Sequence, residues 1–230
     1  MSGDCCNVHT INKEFNFVQA YDKGDLSICE QFVSIQGEGR DSGAHALFIR
    51  LSGCNLRCPW CDTKHSWKDG SIKTQESLIS DIVNYREQYK NNYVVWTGGE
   101  PLLQELKLYS VLDKTRDFYH LLETNGTIIP EKPHLFNQIA VSPKQGERFD
   151  GKWWVTVRNA YVKLVVDDIS EAIDFQDKYN FPSQWFFVMA KTEYPFNSDK
   201  CREKERVITE GCIEHGFNVS PRLQLYFGVK

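Results

Sequence analysis

The sequence predicts an α/β fold: a partial, open TIM-like barrel of about six parallel βα units. Three observations predict it. Short apolar stretches of strand length alternate with helical stretches along most of the chain. The strands are apolar enough to be covered by helices, as parallel sheets require. The polar motifs each follow the carboxyl end of a strand, where parallel barrels and sheets place their sites. Six units are too few for a complete eightfold barrel, so the barrel is expected to stay open.

The elements follow in order. Residues 1–25 are polar and poorly periodic and read as a loose lead-in, with one domain over 26–230. Ile28 to Ile35 and Ala46 to Leu51 read as strands around the turn Gln36-Gly37-Glu38-Gly39. Thr74 can cap a helix running to about Lys90, with Leu78, Ile79, Ile82, Val83 and Tyr89 near one face. Tyr93 to Trp96 is a short buried strand entering Thr97-Gly98-Gly99-Glu100-Pro101, and Pro101 can open a helix to about Lys114. Strands at Tyr119 to Leu122 and Gln138 to Val141 end in Glu123-Thr124-Asn125-Gly126 and Ser142-Pro143-Lys144. Beyond them come a strand at Tyr161 to Val166, a helix from about Ile169 to Tyr179, a strand at Gln184 to Ala190 and a helix from Ser198 to His215.

Composition narrows the function. Of 230 residues, 41% are hydrophobic and 25% charged, enough for a core and too apolar for a disordered chain. The net charge of −4 argues against broad phosphate-backbone binding, so no nucleic acid is expected. No apolar run approaches membrane-spanning length and no export signal is readable, so no membrane partner and a cytoplasmic location are expected. Asn125-Gly-Thr and Asn218-Val-Ser are therefore chance matches to a glycosylation pattern.

The chemistry concentrates in Cys54-Asn-Leu-Arg-Cys58-Pro-Trp-Cys61. Three of the eight cysteines fall within eight positions, which in a chain with no export signal points to a metal or cluster before a disulfide. A [4Fe–4S] cluster usually takes four cysteines, so three would leave one iron open to an outside ligand. The alternative is a structural zinc with His65 as fourth ligand, four positions after Cys61. Cysteines 5, 6, 29, 201 and 212 read as small buried hydrophobes or inert surface groups. Arg50 stands inside an apolar strand and needs a partner if buried. His45, beside a strand, reads as a structural histidine, and no residue is assigned as acid, base or nucleophile.

The cysteine spacing, with an aromatic before the last cysteine and Thr97-Gly-Gly-Glu-Pro101 downstream, resembles the radical S-adenosylmethionine superfamily. The order of Gln36-Gly-Glu-Gly39, Phe48-Ile-Arg50-Leu-Ser-Gly-Cys54-Asn-Leu, Cys61-Asp62-Thr63, Thr97-Gly-Gly-Glu-Pro101, Glu123-Thr-Asn-Gly126 and Ser142-Pro-Lys144 is similar to the 7-carboxy-7-deazaguanine synthase family. That resemblance covers about residues 28 to 144. It implies a [4Fe–4S] cluster on Cys54, Cys58 and Cys61, S-adenosylmethionine held by Trp60, Asp62, Gly99, Glu100, Ser142 and Lys144, and Mg²⁺ on Thr63. It implies a carboxylated pterin bound by Ile35, Gln36, Gly37, Glu38, Arg50, Thr97 and Glu123. A homodimer and a reductant protein such as flavodoxin or ferredoxin are implied as partners.

From the residues alone, Gly98 and Gly99 suit either close approach of a ligand to bare backbone or a tight strand-to-helix turn. Thr63 reads as a turn or cap residue, Lys144 as a solvated lysine, and Gln36 to Gly39 as a hairpin turn. The chain departs from the family at its end. Leu225-Tyr226-Phe227-Gly228 stands where the family's last strand often carries a histidine, and Val188-Met-Ala-Lys191 lacks a common Gln-Pro pair. Two other functions fit parts of the pattern: an activase that makes a glycyl radical on a partner protein, and a zinc-stabilised binding module. The first has no need of Glu38, Arg50 and Thr63 together.

Overall fold

The computed structural model describes residues 24–68, 70–192 and 198–230, so the expected lead-in lies almost wholly outside the described residues. Nine strands form one sheet: β1 (Leu26–Ile35), β2 (His45–Leu51), β3 (Ser71–Lys73), β4 (Tyr93–Gly98), β5 (Tyr119–Thr124), β6 (Gln138–Val141), β7 (Ala160–Val166), β8 (Phe186–Ala190) and β9 (Asn218–Val219). Their order is β3-β1-β2-β4-β5-β6-β7-β8-β9. From β2 onward every neighbouring pair is parallel, as the alternation predicted. The start differs. β1 runs antiparallel to both β2 and β3, so the Gly-rich turn is the connection of a hairpin appended to the parallel sheet. β3 has three residues with two exposed, too short a signal to read in sequence.

Six α-helices are described: α1 (Gln75–Tyr89), α2 (Glu105–Lys114), α3 (Gly151–Trp154), α4 (Ile169–Tyr179), α5 (Asp199–His215) and α6 (Leu223–Phe227). Their starts are chemically marked. The side chains of Thr74, Asp168 and Ser198 accept hydrogen bonds from the backbone of Ser77, Ser170 and Cys201, satisfying donors that a first helical turn leaves open. α1 buries Leu78, Ile82 and Tyr85, whereas the expected Tyr89 is 43% exposed: spacings of four and three keep Tyr85 on the core face. Pro101 opens a 3₁₀ turn, Pro101–Gln104, before α2 begins. Between β5 and β6 the crossover has only the 3₁₀ turn Pro133–Leu135, because Pro130 and Pro133 interrupt any helix there.

Strand alternation sorts the apolar residues into two layers. Leu47, Ile49, Leu51, Val94, Trp96, Leu122, Ile139, Val162 and Val188 belong to the large core beneath the helices. Phe48, Val95, Leu121, Ala140 and Tyr161 pack on the other face, the inner face of the curved sheet. One pleat further toward the carboxyl ends, period two puts Arg50, Thr97, Glu123, Ser142 and Lys163 on that inner face. The apolar layer carries a polar one, and the polar one is the site.

The two sheet edges, β3 and β9, do not pair with each other, so the barrel is open. The end of the chain crosses the gap. Leu223 donates its backbone N–H to Gly37 O at 2.9 Å, and Ser34 Oγ donates to Lys230 O at 2.6 Å. Residues expected in a last strand, Leu225 to Gly228, instead form α6 and its cap, and Tyr226 is 80% exposed. Pro221 and the left-handed Gly228 bracket this single short helix.

Candidate active site

The cysteine loop leaves β2 at Leu51. All three of its cysteines are half-buried free thiols. Burial pushes the Cys54 thiol up to about 11 and raises Cys58 as well. Among the described residues no three His, Cys, Asp or Glu side chains converge as ligands of a single ion. A cluster needs a different arrangement, since each cysteine ligates a different iron. His65 Nε2 lies 3.5 Å from Glu30, and among the described residues it does not converge with the thiols as a zinc site. The half-buried, unpaired thiols fit a cluster better than a closed zinc site.

Backbone packing holds the loop. Gly99 N donates to Leu51 O at 3.2 Å and Glu100 N to Gly53 O at 2.8 Å. A Cβ on Gly99 would sit 2.1 Å from Gly53 O and 2.7 Å from Cys54 Cβ. The two glycines let the Gly-Gly-Glu-Pro backbone pass directly beneath the cysteine loop, a use that sequence reading had divided between ligand approach and a tight turn. Glu100 is fully buried and accepts from Leu102 N, Thr124 Oγ1 and Asn125 N at 3.0, 2.8 and 2.8 Å. Burial raises its carboxyl to about 7 against the pull of those bonds. Glu100, which the resemblance places at the cofactor, turns its carboxylate inward and joins two loops through those bonds. Asn55 extends the same frame, donating to Thr127 Oγ1 at 2.8 Å and accepting from Asn125 Nδ2 at 3.0 Å.

Around the loop, Lys144 Nζ donates to Ser142 Oγ at 2.7 Å and lies 5.3 Å from the centre of the Trp60 ring, with Lys191 5.6 Å from the same ring. Lys144 is thus no free surface lysine. Burial and the charge of Lys163 lower its pKa, while Cys58, Glu38 and Asp62 act the other way. Those named charges put Lys144 between the cysteine loop and the inner-face residues. Asp62 is exposed. Thr63 precedes the 3₁₀ turn Lys64–Trp67, but its hydroxyl makes no capping bond and instead lies 3.7 Å from Cys61 Sγ.

On the inner face, Lys163 is the centre. Its ammonium donates to Glu38 Oε2 at 2.6 Å and Glu123 Oε2 at 2.8 Å. Gln36 Nε2 donates to Glu123 Oε1 at 3.0 Å, and Gln224 Nε2 to Glu38 Oε1 at 2.9 Å. Burial opposes the Lys163 charge, yet Glu123 and Glu38 raise its pKa, and Lys163 in turn holds Glu38 low against burial. The structure therefore unites the expected Gln36, Glu38 and Glu123. Ile35 pairs with His45 on the opposite face, so its side chain does not join them. Gly37 is covered by Gln224, whose Oε1 lies 1.5 Å from where a Cβ would stand.

Lys163 and Gln224 were missed. A charged residue inside Tyr161-Val-Lys163-Leu-Val-Val166 was the same signal that singled out Arg50 and could have found Lys163. Nothing in sequence pointed to Gln224 rather than Tyr226. Arg50 sits in register with Thr97, and its Nε donates to Glu30 at 2.8 Å. Lys230 and Arg50 hold the Glu30 carboxyl at about 2 although burial alone would raise it. His45 is the expected structural histidine, bonded to Tyr85 and Asn91.

This fold, with a three-cysteine loop at the carboxyl end of its first parallel strand, defines a radical S-adenosylmethionine protein. A model of the Radical SAM superfamily matches residues 48–142. The chain is 32% identical over 218 residues to a 7-carboxy-7-deazaguanine synthase of Hyperthermus butylicus, covering 87% of this chain and 92% of the relative. It is 34% identical to the enzyme of that name from Thermoplasma acidophilum, covering 81% and 90%. A crystal structure of QueE from Escherichia coli superposes with a TM-score of 0.67 at 25% identity, over 90% of this chain and 98% of that one. The chain belongs to the 7-carboxy-7-deazaguanine synthase family. A [4Fe–4S] cluster and S-adenosylmethionine are the cofactors of such an enzyme, and Mg²⁺ accompanies them. No described helix is long and apolar enough to cross a membrane.

Proposed function

We propose that this chain is a carbon–nitrogen lyase that converts 6-carboxy-5,6,7,8-tetrahydropterin to 7-carboxy-7-deazaguanine with loss of ammonia, on a route to deazapurines such as queuosine. The observation that carries the reading is the set of acceptors gathered by Lys163, with Glu38 and Glu123 facing the same cation on the inner face. A 2-aminopyrimidinone edge presents adjacent N–H donors, and among the described residues each carboxylate oxygen there accepts one protein donor.

The roles follow the positions. Cys54, Cys58 and Cys61 would hold a [4Fe–4S] cluster, and S-adenosylmethionine bound beside it would supply the radical chemistry. Trp60, Asp62, Gly99, Ser142 and Lys144 line the cofactor, while Glu100 holds the floor of that pocket from behind. Thr63 offers a hydroxyl to Mg²⁺, a hard ion that takes oxygen ligands and shares them with substrate. The Arg50 guanidinium, fixed through Nε by Glu30, turns its remaining donors to the substrate carboxylate. Gln36, Glu38, Thr97 and Glu123 orient the ring, so that binding selects which C–H meets the radical. A homodimer, a flavodoxin or ferredoxin as reductant, and a cytoplasmic location complete the reading.

The test is an anaerobic reaction of iron- and sulfide-reconstituted protein with S-adenosylmethionine, a reductant, Mg²⁺ and the carboxytetrahydropterin, read by mass spectrometry. The deazaguanine carboxylate is expected. Cofactor cleavage with no such product would move the chain to another substrate.

A further inference from the structure

Glu38, Glu123, Gln36 and Gln224 come from three separate parts of the chain, and one buried group joins the two acids. Lys163 is 5% exposed, and its ammonium contacts both carboxylates. The two contacted oxygens are within about 5.5 Å of each other, the range in which neighbouring carboxylates resist ionising together. Each acid is also tied through its other oxygen to a glutamine, Gln224 or Gln36. Both carboxylate planes are thereby fixed, and one cation bridges the two acids.

We propose that Lys163 is the positioning residue of the ring pocket: it binds Glu38 and Glu123 into one acceptor surface, so that the pocket selects heterocycles presenting adjacent N–H donors. This rests on the pterin reading above. Lys163 need not touch the ring; it acts through the two acids. The other charged or titratable groups facing the pair are Tyr161 on β7, Lys144 after β6 and Arg222 before α6. Lys163 bonds directly to both carboxylates.

Removing the cation exposes its function through pH. With Lys163 replaced by Met, Glu38 and Glu123 lose their shared counter-charge while staying close, and one of them binds a proton more readily. A protonated acid has lost acceptor capacity toward an N–H donor. Ring binding in the variant should therefore be weak at neutral pH and recover as pH rises. In the unaltered chain Lys163 supplies the counter-charge that Glu38 and Glu123 share, and binding should change less over the same window.

The experiment measures the affinity of reconstituted holoenzyme for 6-carboxypterin, by ligand fluorescence between pH 6 and 9, alongside kcat and KM. Lys163→Met should weaken binding about tenfold or more relative to the unaltered chain at pH 7, with most of that difference closed when the two are compared at pH 9, and the kinetic defect mainly in KM. Lys163→Arg, which keeps the charge, should bind more tightly than Lys163→Met at pH 7. If Lys163→Met does not fold, Lys163→Met with Glu123→Gln restores the trio's original net charge; it should bind weakly at every pH, with no recovery. Affinity and pH profile equal to wild type in Lys163→Met, or in the double variant, would overturn the role of Lys163 alone. No binding of the probe by the wild-type holoenzyme would overturn the pterin reading and this inference together.

Discussion

Lys163 and Glu38 stand 125 positions apart in the chain and meet at 2.6 Å between Nζ and Oε2. That bond fastens the turn of the β1–β2 hairpin to the middle of β7, across the inner face of the open barrel. Through Gln224 it also draws the end of the chain onto the same acid. An appended hairpin, a parallel strand and the C-terminal segment are united by one carboxylate, which is why its loss should be felt as substrate recognition.

Glu38→Gln tests that directly. The amide presents donors where the ring also presents donors, and it leaves the Lys163 charge with Glu123 alone. A fall in kcat/KM for the carboxytetrahydropterin of about a hundredfold or more is expected, with the affinity for S-adenosylmethionine unchanged in equilibrium binding.

Gly99→Ala should disturb the cysteine loop from below. The added Cβ meets backbone at 2.1 Å, which cannot rotate away. Overpacking of this kind costs about 2–3 kcal/mol, or about 5–10 °C in Tm for a chain of this size, and differential scanning fluorimetry reads it. Iron content after reconstitution should drop as well.

Glu100 separates a framing role from a binding one. Glu100→Ala leaves the Leu102 and Asn125 amides and the Thr124 hydroxyl without their acceptor, a loss of about 2–4 kcal/mol in chemical denaturation. Glu100→Gln keeps one of the accepting oxygens and should cost less. A fully stable Glu100→Ala protein would show that the carboxylate does not hold the two loops.

Acid should loosen the top of β1 and β2. Glu30 takes a proton near pH 2 in the folded chain but near 4.3 in an unfolded one, so its stabilising effect is complete above about pH 5. It is lost as pH falls from there toward 2. Glu30→Gln should flatten that part of the stability curve in urea melts taken from pH 6 down to pH 3.

Cys58→Ala should abolish the brown absorbance of the reconstituted protein and all turnover, since the cluster would keep only two protein thiolates. The thiol is half-buried in a surface loop, so the melting temperature of the metal-free protein should change little.

Much of this was legible in the sequence because it is local. Apolar strand runs, the Thr74 and Ser198 caps and the cysteine spacing each declare themselves within a few residues, and Gln138–Val141 and Ile169–Tyr179 have the expected limits. What escaped depends on contacts distant in sequence. β3 is a strand only because β1 offers an edge. Gln224 reaches Glu38 because α6 turns where a strand was expected, and Gly37 leaves room for it. The bonds from Thr124 and Asn125, in another loop, to the Glu100 carboxylate became visible only with the fold. Arg50 was recognised from its apolar surroundings, while its partner Glu30 became visible only with the antiparallel register of the hairpin.

The central claim is that this chain uses radical chemistry to contract a carboxylated pterin, and the most direct measurement counts product against cofactor in one anaerobic reaction. The account predicts 7-carboxy-7-deazaguanine accumulating well beyond the 5′-deoxyadenosine released, because the cofactor is regenerated at each turnover. Accumulation of 5′-deoxyadenosine and methionine with the pterin left unchanged would contradict it.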